Sequence, residues 1–213
     1  ADIVFDIGAH IGFYSILFSR IVGEKGKVYS FEPSSEVSSA LALTIDRLAN
    51  TTLLPFGLSD KESDGFLFIP EDASAASLAD WTNESLGKVH KISCQIKRLD
   101  DLLANNEVPR PDFIKCDVEG AEELVFRGGL EILDCKDAPI ILFEVNEEAS
   151  KGFNLSKTGA MDFLASLEKA DFSFFDARTD ALSQISEIPP PLPSALAVNI
   201  LAVPKAKLNR LSN

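Results

Sequence analysis

Histidine, cysteine, methionine and tryptophan are scarce in this chain: two, three, one and one among 213 residues. With only His10 and His90, and with no C-x-x-C spacing, there is no pattern for a structural zinc site. An odd set of cysteines, Cys94, Cys116 and Cys135, also argues against a disulfide framework. They read as free thiols in a reducing compartment, which points to the cytoplasm. Basic residues are short as well: 20 Lys and Arg stand against 33 Asp and Glu, a net charge of −13. That balance argues against a nucleic-acid backbone or an anionic membrane surface as partner. No apolar run approaches the ~20 residues of a membrane-spanning helix, and no signal peptide is visible. The longest apolar runs, 139–143 and 195–203, are strand-sized or interrupted by Asn199. An initiating methionine is missing too. The first strand begins by residue 2 or 3, so a trimmed start or a fragment is expected. No internal repeat is present, and the oligomeric state leaves no signature.

What the chain does contain is an alternation of short apolar runs with segments of helical period. Residues 3–7 read as a buried strand, and Ile11, Tyr14, Phe18 and Ile21 recur at helical steps. Gly23 and Gly26 end that helix before a second strand over 27–32. A helix opened by Pro33-Ser34-Ser35 and a third strand over 52–56 follow. The rhythm breaks over 57–98, which reads as an insertion carrying a β-hairpin built on 66–69 and 90–97. It resumes with a short helix at 99–104, a fourth strand at 112–116, a helix at 120–126 and a fifth strand at 139–145. A helix around Met161 and Leu164, a sixth strand at 171–175 and a last strand at 195–203 complete the set. Pro189-Pro190-Pro191 precedes that last strand in a stiff loop, which fits antiparallel insertion. Continuous apolar strands with crossover helices predict an α/β fold, a mostly parallel sheet covered on both faces. We expect one domain over 1–204 and a polar, frayed tail over 205–213.

Ligands of such sheets lie beyond the carboxyl ends of the strands. Those ends carry Asp6-Ile7-Gly8-Ala9, Glu32-Pro33, Gly57-Leu58-Ser59-Asp60, Asp117-Val118-Glu119-Gly120-Ala121-Glu122 and Glu144-Val145-Asn146. The first glycine turn, Gly8-Ala9-His10-Ile11-Gly12, follows a strand and opens a helix, and Glu32 lies twenty residues beyond it. An acid at that distance suits ribose hydroxyls, so the pair points to a nucleoside cofactor. A pyrophosphate, however, wants G-x-G-x-x-G and a helix start free of carboxylates. Asp6 beside the turn would repel a phosphate and attract an ammonium group. S-adenosylmethionine is the better electrostatic match, with an NAD-dependent oxidoreductase as the alternative.

The segments DIGAHIGFYS, VYSFEP, DFIKCDVEGAE and ILFEV, in this order, resemble the FkbM-like class I methyltransferases. The likeness spans about residues 3–204, and DVEGAE is its most specific part. It implies a Rossmann-like sheet of seven strands, the last antiparallel, and an S-adenosylmethionine cofactor. It puts Asp6, Gly8, Ala9, His10, Gly12, Glu32 and Pro33 on the cofactor, with Gly57, Leu58, Ser59 and Asp60 at its adenine edge. Asp117 then faces the transferred methyl group. His10 stands where the family usually carries Asn. The family also usually carries a segment before the first strand that helps cover the cofactor. The implied reaction is O-methylation of a hydroxyl on a small molecule or glycan.

Such a transfer needs an aligned acceptor and a group to take its proton. Asp117, Glu119 and Glu144 are the candidates. A divalent cation shared by these carboxylates is a second expectation, without a dedicated motif. Glu119 and Glu122 could equally cap a helix. Lys115, unusual in a buried strand, is expected to pair with a carboxylate. Trp81 could stack on a substrate ring or anchor its loop. A third reading keeps the fold and the cofactor but has no turnover.

Overall fold

We describe a computed structural model that covers residues 2–82, 85–178, 182–193, 195 and 197–212. The elements are β1 (Ile3–Ile7), α1 (Phe13–Val22), β2 (Lys27–Phe31), α2 (Ser35–Ile45), β3 (Thr51–Leu54), β4 (Gly57–Leu58), β5 (Ser63–Ile69) and β6 (His90–Lys97). They continue with α3 (Leu99–Ala104), β7 (Phe113–Cys116), α4 (Glu122–Arg127), α5 (Leu130–Leu133), β8 (Ile140–Asn146), α6 (Glu147–Gly152) and α7 (Gly159–Ala165). β9 (Phe172–Asp176), β10 (Ser183–Ile185) and β11 (Ala197–Pro204) close the set.

The main sheet runs β10-β9-β11-β8-β7-β1-β2-β3. β3, β2, β1, β7 and β8 are mutually parallel, and β11 is antiparallel to both β8 and β9. The expected mostly parallel sheet with an antiparallel last strand is therefore present, with one strand more than expected. β10 is three residues long and pairs antiparallel with β9, too short to stand out as a period in the sequence. Strand order reverses on either side of β1, where the chain runs to β2 and β3 and later returns to β7. The carboxyl ends of β1 and β7 meet at that switch point.

Alternating side chains of the strands feed two layers. Phe5, Ile7, Phe31, Ile114 and Phe143 join Leu99, Leu102, Val125, Phe126 and Leu164 in the larger core. Val4 and Val28 pack against Phe18 of α1 on the opposite face. Of the helix stripe read from the sequence, Phe18 alone is buried. Ile11 is 56% and Ile21 70% exposed, while Ser15, Phe18 and Ser19 face inward. The phase is set by the buried Asp6, whose Oδ2 accepts a 2.6 Å hydrogen bond from Ser15.

The third strand stops at Leu54, before Pro55. Gly57 and Leu58, expected in a turn, instead form β4, parallel to β6 in a separate sheet ordered β4-β6-β5. β5 and β6 form the expected antiparallel hairpin, packed around Leu67, Ile69 and Cys94. The end of the chain is not frayed. Lys205–Ser212 forms a 3-10 helix, and its Arg210 pairs with Asp2. No helix among the described residues is long and apolar enough to cross a membrane.

Candidate active site

The turn after β1 is built from backbone. The amides of Gly8 and Ala9 both donate to the carbonyl of Phe31, at 3.0 Å each. Gly8 has φ +79°, and a Cβ added there would lie 1.8 Å from the carbonyl oxygen of Asp117. The ends of β1 and β7 thus approach so closely that only glycine fits. His10, at φ +48°, donates its amide to Glu32 Oε2 at 2.8 Å, and Ser34 donates to Glu32 Oε1 at 2.8 Å. The Glu32 carboxylate therefore ties the glycine turn to the start of α2. Each oxygen keeps a lone pair, and burial raises its pKa above the usual carboxylate range.

A cleft with about 680 Å³ of empty space opens over this turn. Gly8, His10, Glu32, Pro33, Gly57, Leu58, Asp117 and Glu119 line it, and so do Phe56, Leu67, Ile69 and Leu78. The insertion supplies much of its apolar wall. That wall includes Ala73, Ser74, Ala76 and Ser77, small residues around the 3-10 turn Ala73–Ala75 that carried no chemical pattern in the sequence. Ser77 Oγ donates to the carbonyl of Glu119 at 2.7 Å, holding the insertion against the end of β7.

Several expected cofactor positions lie elsewhere. Asp6 is fully buried below the turn, and Gly12 packs on Leu41 of α2. Ala9 lines an adjoining hollow, together with Tyr14, Lys115, Asp117, Glu119 and Glu144. Ser59 donates its amide to the Lys97 carbonyl and packs on Gly128, and its Oγ donates to Asp60. Ser59 and Asp60 do not line the cleft, because β4 turns this stretch toward α4.

The carboxylates expected to carry the chemistry do converge. Asp117, Glu119 and Glu144 each offer an oxygen, and these oxygens lie within 4.8 Å of one another. That spacing suits a shared proton or a shared cation. Burial, followed by the neighbouring Asp117 charge, pushes Glu119 up to about 7. Burial and a hydrogen bond with Asp117 raise Glu144 well above the carboxylate range. Asn146 Nδ2 donates to Glu119 Oε2 at 3.2 Å and orients it. Glu122 stands apart: it is buried, and its Oε1 accepts from the Val118 amide at 2.9 Å. Burial pushes it up to about 8. Its role is to hold the β7–α4 turn, where Glu119 sits at φ +51°.

Lys115 is the cation the cluster needs. Its Nζ lies 3.1 Å from Asp117 Oδ2, 3.8 Å from Asp6 Oδ1 and 4.7 Å from the centre of the Tyr14 ring. The expected pairing with a carboxylate is present, and it is double. Against burial, the charges of Asp117 and Asp6 raise the lysine pKa above its ordinary value. Asp6, which has no direct route to the cleft, acts on it through this lysine.

Comparison with known proteins agrees with this geometry. AglP of Haloferax volcanii, a hexuronic acid methyltransferase, is 31% identical over 128 residues, covering 60% of this chain and 49% of AglP. The antimetabolite synthetase AmbE of Pseudomonas aeruginosa is 24% identical, covering 84% of the chain and 10% of AmbE. The chain thus spans about half the length of one curated relative and a tenth of the other. Among solved structures, SMU.1697c of Streptococcus mutans in complex with S-adenosylhomocysteine superposes with a TM-score of 0.50 at 11% identity. That match covers 95% of this chain and 88% of the other. An rRNA methylase of Streptococcus thermophilus gives 0.50 at 10% identity, covering 95% and 86%. At such identities the likeness shows the fold alone. Residues 6–174 match the family model of the FkbM methyltransferase domain, which takes in the glycine turn, Glu32 and the whole carboxylate cluster, and the chain belongs to that family.

Proposed function

We propose that the chain is an S-adenosylmethionine-dependent methyltransferase acting on a hydroxyl of a small molecule or glycan. The observation that carries this reading is the cleft itself. It runs from the glycine turn and Glu32 to Asp117 and Glu119, and among the described residues no lysine or arginine lines it. A pyrophosphate would find no countercharge there. A cofactor with a flat base, a ribose and a cationic amino-acid end finds apolar walls, the free lone pairs of Glu32 and an acidic terminus. The FkbM family match and the name of AglP support methyl transfer and a carbohydrate acceptor. The net charge of −13 favours an acceptor other than nucleic acid.

When bound, S-adenosylmethionine supplies a methyl group on a sulfonium for transfer to an oxygen nucleophile. The protein has to position that oxygen and take its proton. Asp117, ion-paired with Lys115, accepts the acceptor's hydrogen bond and fixes its direction. Glu144 shares a hydrogen bond with Asp117 and, as the neutral acid, keeps the cluster from carrying three full charges. Glu119, poised near 7, is the base that can be ionised at neutral pH and still take a proton.

Titration calorimetry with S-adenosylhomocysteine tests the cofactor. The wild-type chain should bind, and Gly8→Ala should bind at least about tenfold more weakly, because the turn must move off Asp117. Absence of binding by the wild-type chain would overturn the cofactor assignment. For the base, kcat/KM should rise with pH through about 7 as Glu119 ionises. Glu119→Gln should remove that limb, and an unaltered limb in the variant would rule Glu119 out.

A further inference from the structure

Beside the carboxylate cluster lies a second groove that the reaction described above does not use. Trp81, Thr82, Ser85 and Leu86 of the insertion form one side of it, and Asn146, Glu147 and Glu148 the other. Pro191 and Ala195 of the proline-rich loop close the end, and the space within is about 560 Å³. That is ample for a sugar-sized molecule, since ligand pockets span roughly 300–1,000 Å³.

Three features indicate what it takes. Thr82 is only 5% exposed, and its Oγ1 is buried without a hydrogen-bond partner among the described residues. Such a group in a native fold calls for an explanation, and a ligand hydroxyl supplies one. Trp81, Leu86 and Pro191 give the lining its apolar side chains, the residue types that receive the C–H face of a sugar ring. Glu147 and Glu148 edge the groove with carboxylate oxygens. Both pair with Lys151, and Glu147 also with Lys157, yet among the described residues no lysine or arginine lines the groove. Their remaining lone pairs accept from hydroxyl donors and give an anionic ligand nothing to bind.

The groove is also connected to the chemistry. Asn146 lines it and, with the same side chain, donates to Glu119 Oε2. A ring bound here would sit one amide away from the acid assigned as base.

We propose that this groove is an acceptor subsite that binds an uncharged sugar ring adjoining the unit to be methylated. Its use would be to position the acceptor with binding energy from a non-reacting part. The proposal rests on the methyltransferase reading, but its test is separable from it. Trp81 is the single tryptophan of the chain, so intrinsic fluorescence reports on the groove directly. Titrating the chain, saturated with S-adenosylhomocysteine, with the methyl glycosides of glucose, galactose, mannose and glucuronic acid should give a saturable change with at least one neutral glycoside. The glucuronoside should bind about tenfold more weakly or not at all. Thr82→Val, which replaces the unpartnered hydroxyl by a methyl group of equal size, should leave the melting temperature unchanged or higher. It should weaken the neutral glycoside about fivefold or more. Silence with all four glycosides, a preference for the glucuronoside, or unchanged affinity in Thr82→Val would each overturn the subsite. If calorimetry shows S-adenosylhomocysteine bound while the glycosides fail, the subsite falls alone. If S-adenosylhomocysteine itself fails to bind, the cofactor reading falls.

Discussion

Stability should fall as pH is raised from 5 to 8. Glu119 and Glu122 have folded-state pKa values of about 7 and about 8, against 4.5 for an unperturbed glutamate, chiefly through burial. Glu144 is raised for the same first reason. Across that window the folded chain holds protons that the unfolded chain has released. A raised carboxylate contributes stability that is complete below its unfolded pKa and is lost as pH climbs through the folded one. Each excess proton costs about 1.4 kcal/mol per pH unit. The lowered acids, Asp72, Glu107, Glu147 and the half-buried Asp176, have largely finished titrating below this window, so they do little to offset the loss. Urea midpoints at pH 5 and pH 8 measure the difference directly, and a higher midpoint at pH 8 would refute it. Glu122→Gln sharpens the test. The amide oxygen can still accept from Val118, but no charge can form. The variant should gain on the wild type far more at pH 8 than at pH 5, and show a shallower pH profile.

The other large effect is expected at Lys115. Its side chain is 8% exposed and stands between Asp117 and the fully buried Asp6. Lys115→Met preserves much of the volume and removes the charge. Asp6 keeps the Ser15 hydrogen bond but loses its countercharge, and breaking a buried pair in this way costs about 3–5 kcal/mol. The cost should be smaller at pH 4, where Asp6 can be protonated, than at pH 8. Chemical denaturation of the variant beside the wild type at both values reads this out. An equal loss at the two pH values would mean that packing, not charge, is the function of the lysine. Activity should fall even where the variant is folded, because Asp117 would no longer be held in place.

Comparison of particular residues shows where the sequence was sufficient. The hairpin strand over 90–97, with its alternation, and the helix over 99–104 were legible to the residue. The carboxylate cluster was legible as well, since strand ends of a parallel sheet share one edge and Asp117, Glu119 and Glu144 all stand there. Helix phase was legible at Phe18 alone. Ile11 and Ile21 fit a helical period but face outward, because the orientation of α1 is fixed by the Asp6–Ser15 hydrogen bond. Position along a strand end was no guide to depth either. Asp6 lies beneath the glycine turn and Ser59 faces α4, although both belong to strand-end motifs.

The sequence by itself determined the class of fold, the family and the carboxylates that stand at the strand ends, because strand–helix alternation and motif order are local or one-dimensional properties. The tertiary structure decided which of those residues share a surface. A Cβ on Gly8 would meet a carbonyl 109 positions further along, Lys115 answers two carboxylates at once, and the insertion supplies the cleft wall and the groove around Trp81. Contacts between such distant positions follow from how the layers pack, and composition and spacing do not record that packing.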